Sequence, residues 1–411
     1  MIPASTLMRS DHHICIIAFS PIASDARVLR QARALAPHYR VTLIGFGEDP
    51  FKDNPLEGLR WIELENRWTI TPAQERLQRW CLRLGKYFPR LFEVYYKQFP
   101  YSRYAWHLVQ SAKYKVILCN DVDTLPLGVT ATRVMGAKII LDLHEYATRE
   151  YDNPEWRRTR YPLVHGILKT QSKLAKATIT VTESFVKPFR EEFGMKKPIV
   201  IYSAPDKITL PPRTPSTDGK VHLIHHGIAS SLRSIELMIL AVAMADKKFV
   251  LHFMLTGNDE AYKEFLRAEA ARLAPGRIFF ETPVKPAEIV ARISQYDAGI
   301  FLLPPVVFNY KHAMPNKLFD FISAGLGVII SPSPAMSDFV KPHGNAWIAE
   351  DFTAEAMTRL LNSITPEELA TRRAASLKCR EIVNSETEMA KLLALVKKLA
   401  PEKIKPLPMK N

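Results

Sequence analysis

The sequence predicts an α/β protein of two doubly wound, Rossmann-like domains that face each other across a cleft. In each half, short apolar runs alternate with amphipathic segments, which is typical of parallel strands joined by helices. Between the halves lies the stretch 204–219, which is rich in Pro, Thr and Ser and is the clearest linker in the chain. A length of 411 residues also favours two or three domains over a single core.

The apolar runs place the predicted strands. Those of the first half lie at 13–19, 41–45, 116–120, 138–142, 177–181 and 199–202. Those of the second half lie at 221–226, 249–255, 278–280, 299–303, 328–331 and 346–349. We therefore predict an N-terminal domain over 1–205, a linker over 206–219, a C-terminal domain over 220–365 and closing helices over 366–411 that pack on the N-terminal domain.

Composition narrows the class of protein. Hydrophobic residues make up 47% and charged residues 24%, as in folded soluble proteins. Lys and Arg exceed Asp and Glu by 56 − 42 = 14, which favours an anionic partner. No apolar run is long enough to span a membrane, and none suits a signal peptide. The four cysteines stand far apart, so we expect reduced cytoplasmic thiols without disulfides or zinc.

A basic, aromatic segment at 66–105 interrupts the alternation. It holds eight Arg or Lys, two Glu and ten aromatic residues, among them Trp68 and Trp80. This composition suits the headgroup region of an anionic membrane, where rings lie at the boundary and cations meet phosphates. The alternative is a pair of surface helices that pack their aromatic side chains inward.

One helix of the C-terminal domain has both ends marked: Pro315 suits the first helical position and Gly325 the residue after the last. Its N terminus presents free N–H groups and Lys317 adds a full charge, a combination that favours phosphate. Asn316 and Asp320 share the face that could meet a ligand, and Asp320 could accept from the two hydroxyls of a ribose. The alternative is an ordinary βα unit with a well-capped helix.

Further candidates lie at the same predicted sheet edge. Arg233 stands at or near the start of a helix after the first strand of the C-terminal domain, so it and Lys317 could converge on a diphosphate. His312 occupies the loop position where a sugar would lie. His222 and the pair at 225–226 suggest a metal, but alternation along a strand separates the pair, and we predict no metal site.

Six motifs stand in a characteristic order. They are Ser24-Asp-Ala-Arg-Val-Leu-Arg-Gln-Ala-Arg-Ala-Leu35, Asp121-Val-Asp-Thr-Leu125, Asp142-Leu-His-Glu145, Tyr296-Asp-Ala-Gly-Ile300, Met314-Pro-Asn-Lys-Leu-Phe-Asp320 and Ala324-Gly325. In this order they resemble the family-4 type retaining glycosyltransferases with the GT-B fold, and the resemblance covers nearly the whole chain.

The resemblance implies roles for individual residues. A cation six residues after a strand-end glycine holds the diphosphate in that family, and Arg233 stands six after Gly227. An acidic residue five before the glycine of the Ala-Gly pair holds the ribose, and Asp320 occupies that place with Asp instead of the usual Glu. Two positions depart from the family: His312 replaces a glutamate that contacts the donor sugar, and Ile228 replaces an arginine.

The resemblance also implies the chemistry, which is transfer from the anomeric carbon of a UDP- or GDP-type sugar with retention, without metal or cofactor. His144 would face the donor sugar and the acceptor and orient a hydroxyl. The alternative is a structural histidine satisfied by Asp142 or by backbone. Base recognition would be mostly through backbone around Gly257, Pro283 and Val284.

We therefore expect a glycosyltransferase at the inner face of the cytoplasmic membrane, peripherally bound through 66–105. Its acceptor would be a lipid-linked or other glycan, in surface polysaccharide or glycoconjugate synthesis. One alternative is a nucleotide-sugar epimerase of similar fold, and another is a non-catalytic basic protein that binds membranes or nucleic acid. The sequence contains no recognised nucleic-acid motif, so no nucleic-acid partner is expected.

Overall fold

The computed structural model describes residues 10–65, 69–85, 87–213 and 216–401. Its internal contacts divide the chain into two compact units. The first comprises Met1–Ile201 with Met389–Asn411, and the second comprises Tyr202–Glu388.

The first unit is built on a parallel sheet. Its strands are β1 (Ser10–Pro21), β2 (Tyr39–Phe46), β3 (Leu59–Leu64), β4 (Val116–Asn120), β5 (Lys138–Leu143), β6 (Ala177–Thr180) and β7 (Ile199–Val200). They lie in the order β3-β2-β1-β4-β5-β6-β7. The helices between them are α1 (Ala26–Leu35), α2 (Pro72–Gly85), α3 (Arg90–Tyr96), α4 (Pro100–Ser111), α5 (Leu125–Met135), α6 (Pro154–Thr159), α7 (Tyr161–Gln171) and α8 (Glu183–Phe193).

The second unit repeats this plan. Its strands are β8 (Val221–Ile228), β9 (Phe249–Thr256), β10 (Ile278–Phe280), β11 (Ala298–Phe301), β12 (Gly327–Ile330) and β13 (Ala346–Ile348). They are parallel, in the order β10-β9-β8-β11-β12-β13. Its helices are α9 (Glu236–Met244), α10 (Glu260–Leu273), α11 (Ile289–Ile293), α12 (Phe308–Lys311), α13 (Asn316–Ser323), α14 (Pro334–Val340), α15 (Ala354–Ser363) and α16 (Pro366–Ile382).

Both sheets have the doubly wound strand order, which confirms the prediction of two Rossmann-like domains. The central strands are continuous apolar runs because helices cover both of their faces. Residues 14–18 of β1, for example, are all buried. The sequence analysis did not predict β3 (Leu59–Leu64), because only its last residue is fully buried and the others are exposed or half-buried, as in an edge strand.

The closing helices belong to different units. Helix α16 lies within the second unit, where Ser376 donates a hydrogen bond to the Leu326 carbonyl. Helix α17 (Ser385–Leu399) crosses the division, and its apolar side chains from Met389 onward join the core of the first unit. Among the closing helices, α16 therefore belongs to the second unit and most of α17 to the first.

Helix α13 corrects one detail of the sequence analysis. Pro315 precedes the helix as its N-cap, with ψ 149°, so Asn316 and not Pro315 is the first helical residue. Gly325 follows the helix with φ +69°, as its predicted position after the C terminus requires.

Most of the basic, aromatic segment forms α2, α3 and α4. Trp68, which was named as part of the segment, lies outside the described residues. Some of its rings are buried, including those of Phe92 and Tyr101. Trp80 and Phe88 are instead 58% and 62% exposed. The inward-packing alternative therefore accounts for only part of the segment. In the described part of the chain, no helix is long and apolar enough to cross a membrane.

Gly299 is a packing constraint beneath α13. A Cβ on Gly299 would lie 2.1 Å from Cγ of Phe321, so β11 and α13 could not keep their separation. We expect Gly299→Ala to lower the free energy of unfolding by about 1–3 kcal/mol, measured by chemical denaturation. Gly299→Val should cost more than Gly299→Ala. Because valine otherwise favours strands, a valine variant more stable than the alanine variant would contradict the steric explanation.

Candidate functional site

The second sheet reverses its winding between β8 and β11, and ligands of doubly wound sheets bind beside the carboxyl ends of the strands at such a point. Gly227 lies near the end of β8 with φ +118°, a conformation that favours glycine. A Cβ at this position would lie 3.4 Å from Nζ of Lys317. The strand end and the first turn of α13 therefore approach each other closely.

Lys317 is held rigidly at this edge. It is 5% exposed, and its Nζ lies 3.1 Å from Nε2 of His225 and 4.3 Å from the ring centre of Phe301. Burial and the charge of Arg233 hold the pKa of Lys317 well below its usual range. An arriving anion would offset both effects, so this corner favours negative charge.

Arg233 was expected at or near the start of a helix and lies just before that helix, α9. It ends a short 3-10 turn after β8, whereas α9 begins at Glu236. Its Nη1 lies 3.4 Å from the Ile228 carbonyl, and the next residue, Ser234, has φ +48°. The charge of Arg233 contributes to the lowered pKa of Lys317. That the two cations hold one diphosphate stays a prediction.

Asp320 lies one turn beyond Lys317 and faces a partner that the sequence analysis missed. Its Oδ2 is 3.4 Å from Nε2 of His226, and the Asp320 side chain is 14% exposed. Burial, together with the charge of Lys317, lowers the pKa of His226 to about 3, so this histidine is neutral. The adjacent histidines of β8 thus both lie beside α13: His225 contacts Lys317 and His226 faces Asp320. Strand alternation, which predicts that the two histidines point to opposite faces, did not indicate these contacts.

The other predicted contacts also follow strands of the second sheet. Gly257 follows β9 with φ +95°, and the half-buried Val284 follows β10 beside the exposed Pro283. Asn316 is exposed at the start of α13, and His312 packs its ring 4.6 Å from that of Phe308 in the loop before the helix. The structure describes these positions, and their roles in binding stay predictions.

His144 lies at the carboxyl end of β5 in the first unit, between two carboxylates. Its Nδ1 is 3.3 Å from Oδ2 of Asp121 and its Nε2 is 3.6 Å from Oδ2 of Asp142. Burial opposes the charged form, but the two carboxylates outweigh it and raise the pKa of His144 to about 10. A pKa raised this far favours the protonated ring at neutral pH and disfavours a role as general base.

A buried network supports this arrangement. Arg27 donates two hydrogen bonds of 2.8 Å to Asp142, and Gln31 donates another of 2.7 Å. Gln31 also exchanges hydrogen bonds with Asn120 at the end of β4. Although burial opposes ionisation of Asp142, Arg27 and His144 hold its pKa below the usual range. His144 thus lies beside Asp142, the residue named in the structural alternative, and Asp121 is a second neighbour. Whether its role is structural or in binding stays a prediction.

Asp121 has a strained backbone. Its φ of +63° with ψ of 168° is a conformation that few residues other than glycine adopt. Its N–H donates to the Asp142 carbonyl, and its carboxylate accepts from the backbone N–H of His144. The strain therefore places the carboxylate against both the backbone and the ring of His144.

No metal site is apparent in the described residues, where no group of three or more His, Cys, Asp or Glu side chains could hold an ion. His222, one of the histidines that suggested a metal, instead lies 3.0 Å from Nε2 of His252 through its Nδ1. It also lies 3.2 Å from Asp218 through its Nε2.

Comparison with known proteins agrees with this architecture. Residues 25–206 match the family model described as Glycosyltransferase Family 4. The match supports a glycosyltransferase. A search of curated proteins found no match.

Solved structures of GT-B glycosyltransferases share the fold. Sucrose-phosphate synthase from Thermosynechococcus elongatus is 15% identical, with a TM-score of 0.69 over 95% of this chain and 100% of that one. HepE from Anabaena, in complex with UDP-glucose, is 14% identical, with a TM-score of 0.67 over 94% of this chain and 99% of that one. A glycosyltransferase from Rickettsia africae is 11% identical, with a TM-score of 0.66 over 96% of this chain and 100% of that one.

The charge of His144 is testable by NMR titration of histidine-labelled protein. We expect its ring to stay protonated from pH 6 to 8.5, because its pKa is about 10. Since this pKa is raised above 6.5, the ion pairs contribute stability fully below pH 6.5 and lose it as the pH rises through about 10.

Asp121→Asn removes one of the two carboxylates and should lower the pKa of His144. Asp152→Asn, which removes the exposed partner of Arg157, is the matched control and should leave the pKa unchanged. Titration of His144 near pH 6.5 in the unaltered protein would show that the carboxylates do not hold its proton.

Proposed function

We propose that this protein is a retaining glycosyltransferase that moves a sugar from a UDP- or GDP-type donor to a lipid-linked or other glycan acceptor. The observation that carries the proposal is the position of the buried Lys317, in the first turn of α13 and beside the end of β8, where the second sheet reverses its winding. The charge of Arg233 also acts on Lys317. Asp320 lies one turn further along α13, where we expect it to accept hydrogen bonds from the ribose hydroxyls.

The proposed chemistry is electrostatic. Negative charge develops on the diphosphate as the bond to the anomeric carbon breaks, and Lys317, Arg233 and the α13 dipole stabilise it. Because the chain supplies these cations itself, we expect turnover without a divalent metal. His144 holds its proton too tightly to act as a base, which fits the proposed role of orienting a hydroxyl.

Structural neighbours support the donor class. HepE from Anabaena was solved with UDP and with UDP-glucose, and it covers nearly all of this chain at the level of fold. At 14% identity the likeness does not extend to the sugar. The replacement of the expected arginine by Ile228 and of the expected glutamate by His312 leaves the preferred sugar open to experiment.

A thermal-shift panel tests the donor. We expect UDP or GDP and one of their sugar conjugates to raise the melting temperature equally with and without magnesium. Arg233→Ala should lower affinity for the nucleoside diphosphate about 10-fold or more and abolish turnover, because a hydrogen-bonding cation is lost.

The matched control is Arg272→Ala, which removes an exposed arginine that pairs with Glu269 on α10. It should keep the affinity and the turnover of the unaltered protein. Unchanged turnover in Arg233→Ala would contradict the diphosphate assignment, and the absence of any shift with nucleotides would contradict the donor function.

We further propose peripheral binding to the inner face of an anionic membrane through an aromatic-basic surface formed by Trp80, Tyr87, Phe88, Arg83 and Arg90. The three rings are 58%, 66% and 62% exposed, which is unusual for side chains of this size. Both arginines are also exposed. Rings at the headgroup boundary beside cations are suited to anionic lipid, and a lipid-linked acceptor in polysaccharide synthesis would be reached there.

Vesicle co-sedimentation tests this surface. The protein should bind anionic vesicles more tightly than zwitterionic ones, and salt should weaken the binding. The double variant Tyr87→Ser/Phe88→Ser should reduce binding about 10-fold or more, because two apolar rings no longer enter the boundary.

Phe265→Ser, which removes a 46% exposed ring from the second unit, is the matched control and should bind as the unaltered protein does. Equal loss in both variants would contradict the assigned surface. Preference for DNA over anionic vesicles would instead favour a nucleic-acid-binding protein.

A further inference from the structure

His225 is a fully buried histidine whose hydrogen bonds define its tautomer. Its Nδ1 lies 2.9 Å from the carbonyl oxygen of Ile300, which can only accept a hydrogen bond. Nδ1 therefore carries the proton, and Nε2 presents a lone pair. That lone pair faces Nζ of Lys317 at 3.1 Å.

This contact restricts a flexible side chain. A lysine has four rotatable carbon–carbon bonds, and fixing it when a ligand arrives costs conformational entropy. Here the lone pair of His225 and the ring of Phe301 fix Nζ before any ligand is bound. The glycine conformation at Gly227 leaves space beside Nζ, because a Cβ there would lie 3.4 Å away.

The charge state of His225 suits this task. A protonated ring would have no lone pair for the lysine and would add a second positive charge against it. Burial, followed by the charge of Lys317, lowers the pKa of His225 well below its usual value, so the ring stays neutral. Lys317 can therefore donate one N–H to Nε2 of His225 and direct its other N–H groups to an anion.

We propose that His225 is a positioning residue that holds Nζ of Lys317 where the diphosphate of the donor binds. The inference rests on the proposed donor function and adds to it a residue that the family resemblance does not name. Its effect is exerted through Lys317, so it should alter recognition of the diphosphate and not of the base or the ribose.

Two substitutions separate this role from a structural one. The amide nitrogen of asparagine lies near the position of imidazole Nδ1, so His225→Asn can keep the hydrogen bond to Ile300 and lose the acceptor for Lys317. The amide oxygen of glutamine lies near Nε2, so His225→Gln can keep that acceptor. A simple packing role predicts no such difference between the two variants.

Isothermal titration with UDP, GDP and the corresponding nucleosides provides the measurement. We expect His225→Asn to lower affinity for the nucleoside diphosphate about 10-fold, the effect of one hydrogen bond to a charged group, while nucleoside affinity is unchanged. His225→Gln should recover most of the loss. In a Lys317→Met background, His225→Asn should have no further effect, because the group that it positions is absent.

His222→Gln, which alters a histidine of the same strand remote from Lys317, is the control and should bind as the unaltered protein does. Equal affinity of the unaltered protein and His225→Asn for the nucleoside diphosphate would overturn the role of His225 alone. An equal loss with and without Lys317 would also overturn it. Failure of the unaltered protein to bind any nucleoside diphosphate would overturn the donor function and this inference together.

Discussion

Charge buried at the carboxyl edge of a sheet must be paired or hydrogen-bonded, and both units depend on this constraint. In the first unit, the guanidinium of Arg27 holds the buried carboxylate of Asp142 with two hydrogen bonds, and Asp142 in turn faces His144. In the second unit, the buried amine of Lys317 has a histidine lone pair and an aromatic face as its surroundings. The carboxylate fixes a cation in the first case, whereas in the second the groups in contact with Nζ are a neutral imidazole and an aromatic ring. The two edges are therefore alike in topology and different in electrostatics.

Each unit also has a residue other than glycine with a positive φ angle beside a predicted site residue. Among the described residues, Asp121 and Ser234 are the positions other than glycine with positive φ. Asp121 contacts His144, and Ser234 is next in the chain to Arg233. Strain of this kind costs about 1–3 kcal/mol and persists only where the surrounding structure imposes it. Both positions lie next to a predicted site residue, one in each unit.

The doubly wound architecture could be predicted from the sequence because buried parallel strands are continuous apolar runs with sharp ends. The edge strand β3 could not, since one side of it is half exposed. The positions of Lys317 and Asp320 on α13 could be predicted because helix periodicity and the capping signals mark that helix. Their partners His225 and His226 were missed because those contacts join residues about ninety positions apart, and no local pattern encodes such a distance. Likewise, Asp142 was considered for His144, but the strained Asp121 was not, because strain is a tertiary property.

Ile228 stands where the family resemblance implies an arginine, and the position of the remaining cations bears on this difference. The loss of that arginine removes one cation from the proposed diphosphate site. Lys317 is 5% exposed, whereas Arg233 is only partly buried. Because a desolvated cation interacts with an anion through a lower effective dielectric, one buried lysine can replace much of the attraction of a solvated arginine. Such a lysine is most effective if it is held in place. The ring of His225 contacts Nζ and, being neutral, adds no positive charge against it.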